Sequence, residues 1–178
     1  MIAGHAAVRL VTVLSCLAAA ACARAAGDVP GNWQLDVGPD AASYRNVAVL
    51  SLGAAETIAD EYATRKVTPR LELRCEPGGD AHIAVRIDWQ RFISSFNTVV
   101  EFRADDTAAL AMTLGVDRSN KITATKNAAD DARLIDYLRG HDALAVGVTP
   151  YAEGPISIHY DLAEFGAALA MLEAACTD

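Results

Sequence analysis

The 178-residue sequence has little of what advertises chemistry. It holds four cysteines and four histidines, with no CxxC pair and no histidine spaced to complete a metal site. No metal centre and no cofactor are expected. GxSxG, HExxH, phosphate-loop and dinucleotide-glycine patterns are all missing, which removes sequence support for those hydrolase and nucleotide-binding classes. Its longest apolar run, residues 10–21, falls short of the ~20 residues a permanent spanning helix needs. Internal repeats, interdomain linkers and low-complexity segments are also lacking.

Acidic residues are missing from the first 27 positions, and that absence is informative. Arg9 precedes the apolar run, and Ala23-Arg24-Ala25 fits a small-x-small cleavage site. Residues 1–25 therefore read as a secretory signal peptide and 26–178 as one globular domain. Ala19-Ala20-Ala21-Cys22 has lipobox-like spacing but lacks the large aliphatic residue three positions before the cysteine. A soluble periplasmic protein is expected in preference to a lipid-anchored one.

Removing that leader takes two arginines and no acids, leaving 13 Lys+Arg against 23 Asp+Glu. No basic block survives, so nucleic acid and anionic lipid are poor partners. Two cysteines remain, Cys75 and Cys176. In an exported domain such a pair is expected to form a disulfide.

Strand signals dominate the rest of the chain. Trp33-Gln34-Leu35-Asp36-Val37 alternates, residues 46–52 form a short apolar run, and residues 53–69 show no clean period. Leu71, Leu73 and Cys75 share one face of a strand. Pro77-Gly78-Gly79-Asp80 then turns the chain into Ile83, Val85, Ile87 and Trp89 on the next. Residues 98–103, 109–116 and 121–125 give further strands, with Phe92 and Phe96 expected to close the core edge. Asn127 caps a helix ending before Gly140. Residues 144–148 and 156–160 form a second hairpin. Leu162, Phe165, Leu169, Leu172 and Cys176 lie on one face of a terminal helix, begun by a capping-box-like Asp161-x-x-Glu164. Cys75 and Cys176 thus both face the interior. The expected fold is mainly β (α+β): β-sandwich-like antiparallel sheets with a short helix and a C-terminal helix docked on the core.

Candidate site residues are few. His82, His141 and His159 are expected to face solvent. Asp88 with Asp105 or Asp106 could form an acid/base pair, but Asp105-Asp106 sits in a turn, where aspartate serves local hydrogen bonding. Trp33 and Trp89 fall on buried faces. Tyr151, between Pro150 and Pro155 in a loop, is placed as a contact residue would be, although a structural role is the preferred reading of the residues alone.

Several segments together resemble the VasI/TagO family of type VI secretion-associated periplasmic proteins. These are Leu71-Glu72-Leu73-Arg74-Cys75, then Ile83-Ala84-Val85-Arg86-Ile87-Asp88-Trp89, then Val100-Glu101-Phe102-Arg103-Ala104-Asp105-Asp106. Nearer the C-terminus come Val146-Gly147-Val148-Thr149-Pro150-Tyr151, Tyr160-Asp161-Leu162 and the ending Ala174-Ala175-Cys176. The sequence departs from that pattern at Ser43-Tyr44-Arg45-Asn46, which lacks paired acids, and over 110–125, which lacks a tryptophan. The resemblance implies a non-enzymatic periplasmic accessory protein whose partner is a protein of the cell envelope. Arg103, Asp105 and Tyr151 match recurring positions and are the candidate partner contacts. A reading from a different class is an exported inhibitor or immunity protein against a cell-wall enzyme or toxin, for which the acidity suits a basic target.

Overall fold

The structure, a computed structural model, describes residues 29–41, 43–75 and 82–177. The expected leader and the Pro77-Gly78-Gly79-Asp80 turn lie outside the described residues. The elements run β1 (Gln34–Pro39), β2 (Asn46–Gly53), β3 (Ile58–Ala59), β4 (Lys66–Val67), β5 (Arg70–Cys75) and β6 (Ala84–Asp88). They continue with β7 (Thr98–Ala104), β8 (Leu110–Val116), β9 (Ile122–Ala124), α1 (Ala128–Leu138), β10 (Ala143–Val148), β11 (Ile156–Asp161) and α2 (Phe165–Thr177). The fold is mainly antiparallel β with two helices, the second at the C-terminal end.

Nine strands form one continuous sheet in the order β1-β2-β5-β6-β9-β8-β7-β10-β11, while β3 and β4 pair separately. Separate sheets are not needed, because β8 belongs to both halves. Its residues opposite Thr98–Phe102 pair with β7, and Gly115 and Val116 then pair with β9. Both halves contribute to a single core: Leu50, Leu73 and Ile87 from one, Phe102, Val146 and Tyr160 from the other. At the far side, Ala55 N–H donates to the His159 carbonyl of edge strand β11 at 2.8 Å. That bond covers part of an edge that would otherwise offer unpaired backbone groups.

Period-two burial sets the registers. On β5, Leu71, Leu73 and Cys75 point inward, and on β7 Val100, Phe102 and Ala104 do so. Shifting either strand by one residue would bury Arg74 or Arg103 instead, which fixes the pairing. Helix α1 packs against β6, and α2 packs on β2 and β1. Phe165, Ala168, Leu169, Leu172 and Cys176 are the buried face of α2. Cys75 and Cys176 are disulfide-bonded, with Cα atoms 5.9 Å apart and a separation of 101 positions along the chain.

Some local details follow the sequence signals and others depart from them. Asn127 caps α1 by accepting from Asp130 N–H, and Gly140 follows the C-cap at φ 77°, as the helix signals imply. The box at Asp161 does not form. Asp161 remains in β11 and its Oδ1 accepts from Ala163 N–H, so α2 begins only at Phe165. Phe96 is 73 % exposed and Phe92 half-buried; Ile93 is the residue that closes the core there. The unassigned stretch before Pro69 is organised by buried Asp60, whose carboxylate accepts from both the backbone and the hydroxyl of Thr64. Trp33 and Trp89 are both buried. Trp33 Nε1 reaches the Ala163 carbonyl, and Trp89 Nε1 reaches Thr123 Oγ1 at 3.0 Å.

Candidate functional site

The outward face of β7 carries Val99, Glu101 and Arg103 on alternate residues, while Val100, Phe102 and Ala104 point into the core. Across the ladder, Gly147 lies opposite Glu101 and Ala145 opposite Arg103. On the other side Ala111 lies opposite Glu101. Beyond β10, Ser157 lies opposite Gly147. Small residues therefore flank a charged stripe, and the result is an open groove of about 760 Å3 on the outer sheet face. Thr149, Pro155 and Ile156 line one end of it together with Asn97 and Thr98. Among the described residues neither Glu101 nor Arg103 forms an ion pair.

Three connections converge where β7 begins and β10 ends, and one buried cation holds two of them. Arg91 donates from Nη1 to the Ala59 carbonyl at 2.9 Å and from Nη2 to Glu153 Oε1 at 2.5 Å. The connection that carries Arg91 is also joined to the Glu153 loop through the backbone, with Tyr151 N–H donating to the Ile93 carbonyl at 2.8 Å. Lys121 Nζ lies 3.0 Å from Glu61 Oε1 and ties the first connection to the base of β9. Each loop displays one aromatic ring to solvent: Tyr62 at 77 %, Phe96 at 73 % and Tyr151 at 69 % exposure. Phe96 precedes the groove residue Asn97, and Tyr151 follows Thr149 by two positions. Rings on tethered loops lose little freedom on contact, which suits them to anchor a partner.

The three candidate contacts do not form one cluster. Arg103 lines the groove. Tyr151 belongs to the loop at the end where β10 leaves the ladder, whereas Asp105 follows the opposite end of β7. The pairing from Leu144 with Ala104 to Val148 with Val100 separates those ends by roughly 15–20 Å. Asp105 stands at φ 44° in the turn after β7, and its Oδ2 is 2.8 Å from His141 Nδ1. Oδ1 accepts from Ala143 N–H at 2.9 Å. The bond from His141, aided by Ala143, holds the Asp105 carboxyl below its ordinary value. Its work is to pin the turn to the start of β10. Asp88 accepts from Gln90 N–H at 2.9 Å and makes no contact with Asp105.

The histidines are more engaged than a solvent-facing placement implies. His82 Nε2 lies 2.9 Å from Asp131 Oδ2, and His159 Nδ1 lies 2.5 Å from Glu56 Oε1. Burial pushes the Glu56 carboxyl up, but bonds from the His159 backbone and ring outweigh it and hold it low. Asp131 is buried and accepts from Val85 N–H and from Thr125 Oγ1 as well. The carboxylate thus sits between the imidazole and the hydroxyl. This order differs from the Ser-His-Asp arrangement, in which the imidazole bridges the hydroxyl and the carboxylate. Sequence spacing carried no signal for these pairs, since their partners lie 36 to 103 positions away.

Among the described residues no group of three or more His, Cys, Asp or Glu is placed to hold a metal ion. No helix among them is long and apolar enough to cross a membrane. The residues that sequence reasoning missed are Glu101, Gly147 and Arg91. Period two on β7 could have found the first, but nothing local marks Arg91 as a clasp.

No family model matches the sequence, and no curated protein matches it. Among solved structures, the crystal structure of invasion associated protein B from Bartonella henselae resembles this chain with a TM-score of 0.50 and 16 % sequence identity. The likeness covers 81 % of this chain and 93 % of that one, and it shows a shared fold alone.

Proposed function

We propose that this chain is an exported, non-enzymatic accessory protein that binds a protein partner in the bacterial cell envelope. The VasI/TagO-like sequence pattern makes the type VI secretion apparatus the first place to look for that partner. One observation carries the binding role: a groove whose Glu101 and Arg103 form no ion pair among the described residues opens beside three tethered loops that expose Tyr62, Phe96 and Tyr151. Apolar anchors beside charged groups are the usual composition of a contact surface. The leader-like first 25 residues and the disulfide support a site of action outside the cytoplasm. The association with invasion belongs to the Bartonella protein and adds no site here.

Deleting the gene in its host tests this directly. Loss of type VI tube protein from the medium, restored by the wild-type gene but not by a Tyr151→Asp, Phe96→Asp form, is the expected result. Unchanged release from a strain shown to fire its apparatus overturns the secretion role. The inhibitor reading rests on the acidity of the chain, which favours a basic enzyme partner. It predicts salt-sensitive inhibition of a cationic lysozyme-type enzyme.

A further inference from the structure

We infer that the groove recognises an extended peptide segment of its partner by a fixed alternation of side chains: apolar, then basic, then acidic, on every second residue. The inference rests on the proposed protein-binding role and names the chemistry of that same site. Val99, Glu101 and Arg103 project from one face of β7 in that order, and Val99 is 53 % exposed. Side chains two apart on a strand stand about 7 Å apart, and an extended peptide repeats at the same interval. A segment lying along β7 therefore presents a matching stripe only if its own alternate residues are apolar, Lys or Arg, and Asp or Glu.

Three features of the face favour this occupant. First, both charges lack a partner among the described residues, so a ligand would not have to displace an internal ion pair. Second, Ala111, Ala145, Gly147 and Ser157 leave room beside the stripe for a backbone to approach. Third, Pro155 and Ile156 join Val99 in the groove lining, giving the apolar position a seat. The groove volume of about 760 Å3 suits a few residues of chain rather than a folded domain. One charge of each sign makes the stripe selective for order as well as composition, because an opposed pair is repulsive at both positions.

The test uses the intact disulfide-bonded chain, isotope-labelled and titrated by NMR with capped peptides. Val-Ser-Lys-Ser-Glu and its reversal Glu-Ser-Lys-Ser-Val carry the matched stripe in the two chain directions. Val-Ser-Glu-Ser-Lys and Lys-Ser-Glu-Ser-Val carry the swapped one. A matched peptide should bind about tenfold more tightly than its swapped counterpart, as two exposed charge pairs allow. The double substitution Glu101→Arg, Arg103→Glu should invert that preference without changing the melting temperature. Gly147→Val should weaken all binding. Its added Cβ meets only the Ile156 carbonyl at 3.8 Å and the Glu101 Cβ at 4.0 Å, so the fold accommodates it while the groove floor fills.

Equal affinity for matched and swapped peptides, with Gly147→Val still weakening both, overturns the alternation rule but keeps groove binding. Peptide binding untouched by Gly147→Val overturns the groove as the site. Shift changes from none of the four peptides overturn the inference, while the deletion experiment continues to judge the accessory role.

Discussion

Arg91 and Glu153, 62 positions apart, meet at 2.5 Å across the end of the sheet, and the same guanidinium holds the Ala59 carbonyl. Arg91 is buried, whereas Glu153 keeps partial access to water. The two partners should therefore respond unequally to substitution. Arg91→Ala strips a charged donor from the Ala59 and Phe92 carbonyls and from Glu153, and should cost about 2–3 kcal/mol in urea unfolding. Glu153→Gln should cost less, because water can replace what it loses. Equal effects would show that the clasp is not organised around the arginine.

The bridge between Cys75 and Cys176 closes a loop of 101 positions. Chain-entropy reasoning gives it about 4–5 kcal/mol of stabilisation through the unfolded state. Intact mass after alkylation without reductant should show neither of these thiols labelled. The Cys75→Ser, Cys176→Ser form should unfold at markedly lower urea. Ready labelling of the folded chain would show that the bridge is not formed in the protein.

Tyr160 is buried, and its hydroxyl finds no hydrogen-bond partner among the described residues. Burial is the chief cause pushing its phenol well above the usual range, with Asp88, Glu72 and Glu56 adding to it. A buried polar group left unsatisfied costs on the order of 1–3 kcal/mol. Tyr160→Phe keeps the ring and removes that cost, so its melting temperature should equal or exceed that of the parent. A clear fall would show that the hydroxyl has a stabilising partner.

Acid should destabilise the fold through its carboxylates. The Arg74 bond, then those from Ser43, hold Asp40 low, and His141 does the same for Asp105. At Asp60, burial raises the carboxyl but the Thr64 bonds prevail. Each folded value lies below the unfolded one, so the stabilisation is complete above the ordinary carboxylate range near pH 4 and is lost as the pH falls below it. Melting temperatures measured from pH 7 to 3 should drop steeply at the acid end. Asp105→Asn should lower stability at neutral pH and flatten part of that drop; an unaltered profile would remove Asp105 from the account.

Much of the architecture was legible because burial alternates strictly in β5, β6, β7 and β10. Leu71, Leu73 and Cys75, and later Leu144, Val146 and Val148, announce their faces without tertiary information. The same logic placed both cysteines on inward faces. Phe96 misled because hydrophobicity alone argued for the core, while its neighbours Ser94, Ser95 and Asn97 belong to a connection. The start of α2 misled because Asp161 also satisfies a turn by accepting from Ala163 N–H. At the site, Arg103 and Tyr151 were visible as residues but their separation was not. That distance depends on β7 and β10 being neighbours, and strand order is a property of the whole chain.

A strand shared by two halves also governs how the molecule comes apart. Because β8 gives its first residues to β7 and its last to β9, neither half keeps a complete ladder once the other has melted. Intermediates with one ordered half should be poorly populated, and heat or urea should produce a single transition followed equally by all probes. Three pairings join distant stretches of sequence, β2 with β5, β6 with β9 and β7 with β10, and the sheet cannot close without them, so refolding should be slower than for a helical chain of this size. Peptide capture and global unfolding are then linked: a bound segment raises the melting point of the core on the opposite side of the same sheet.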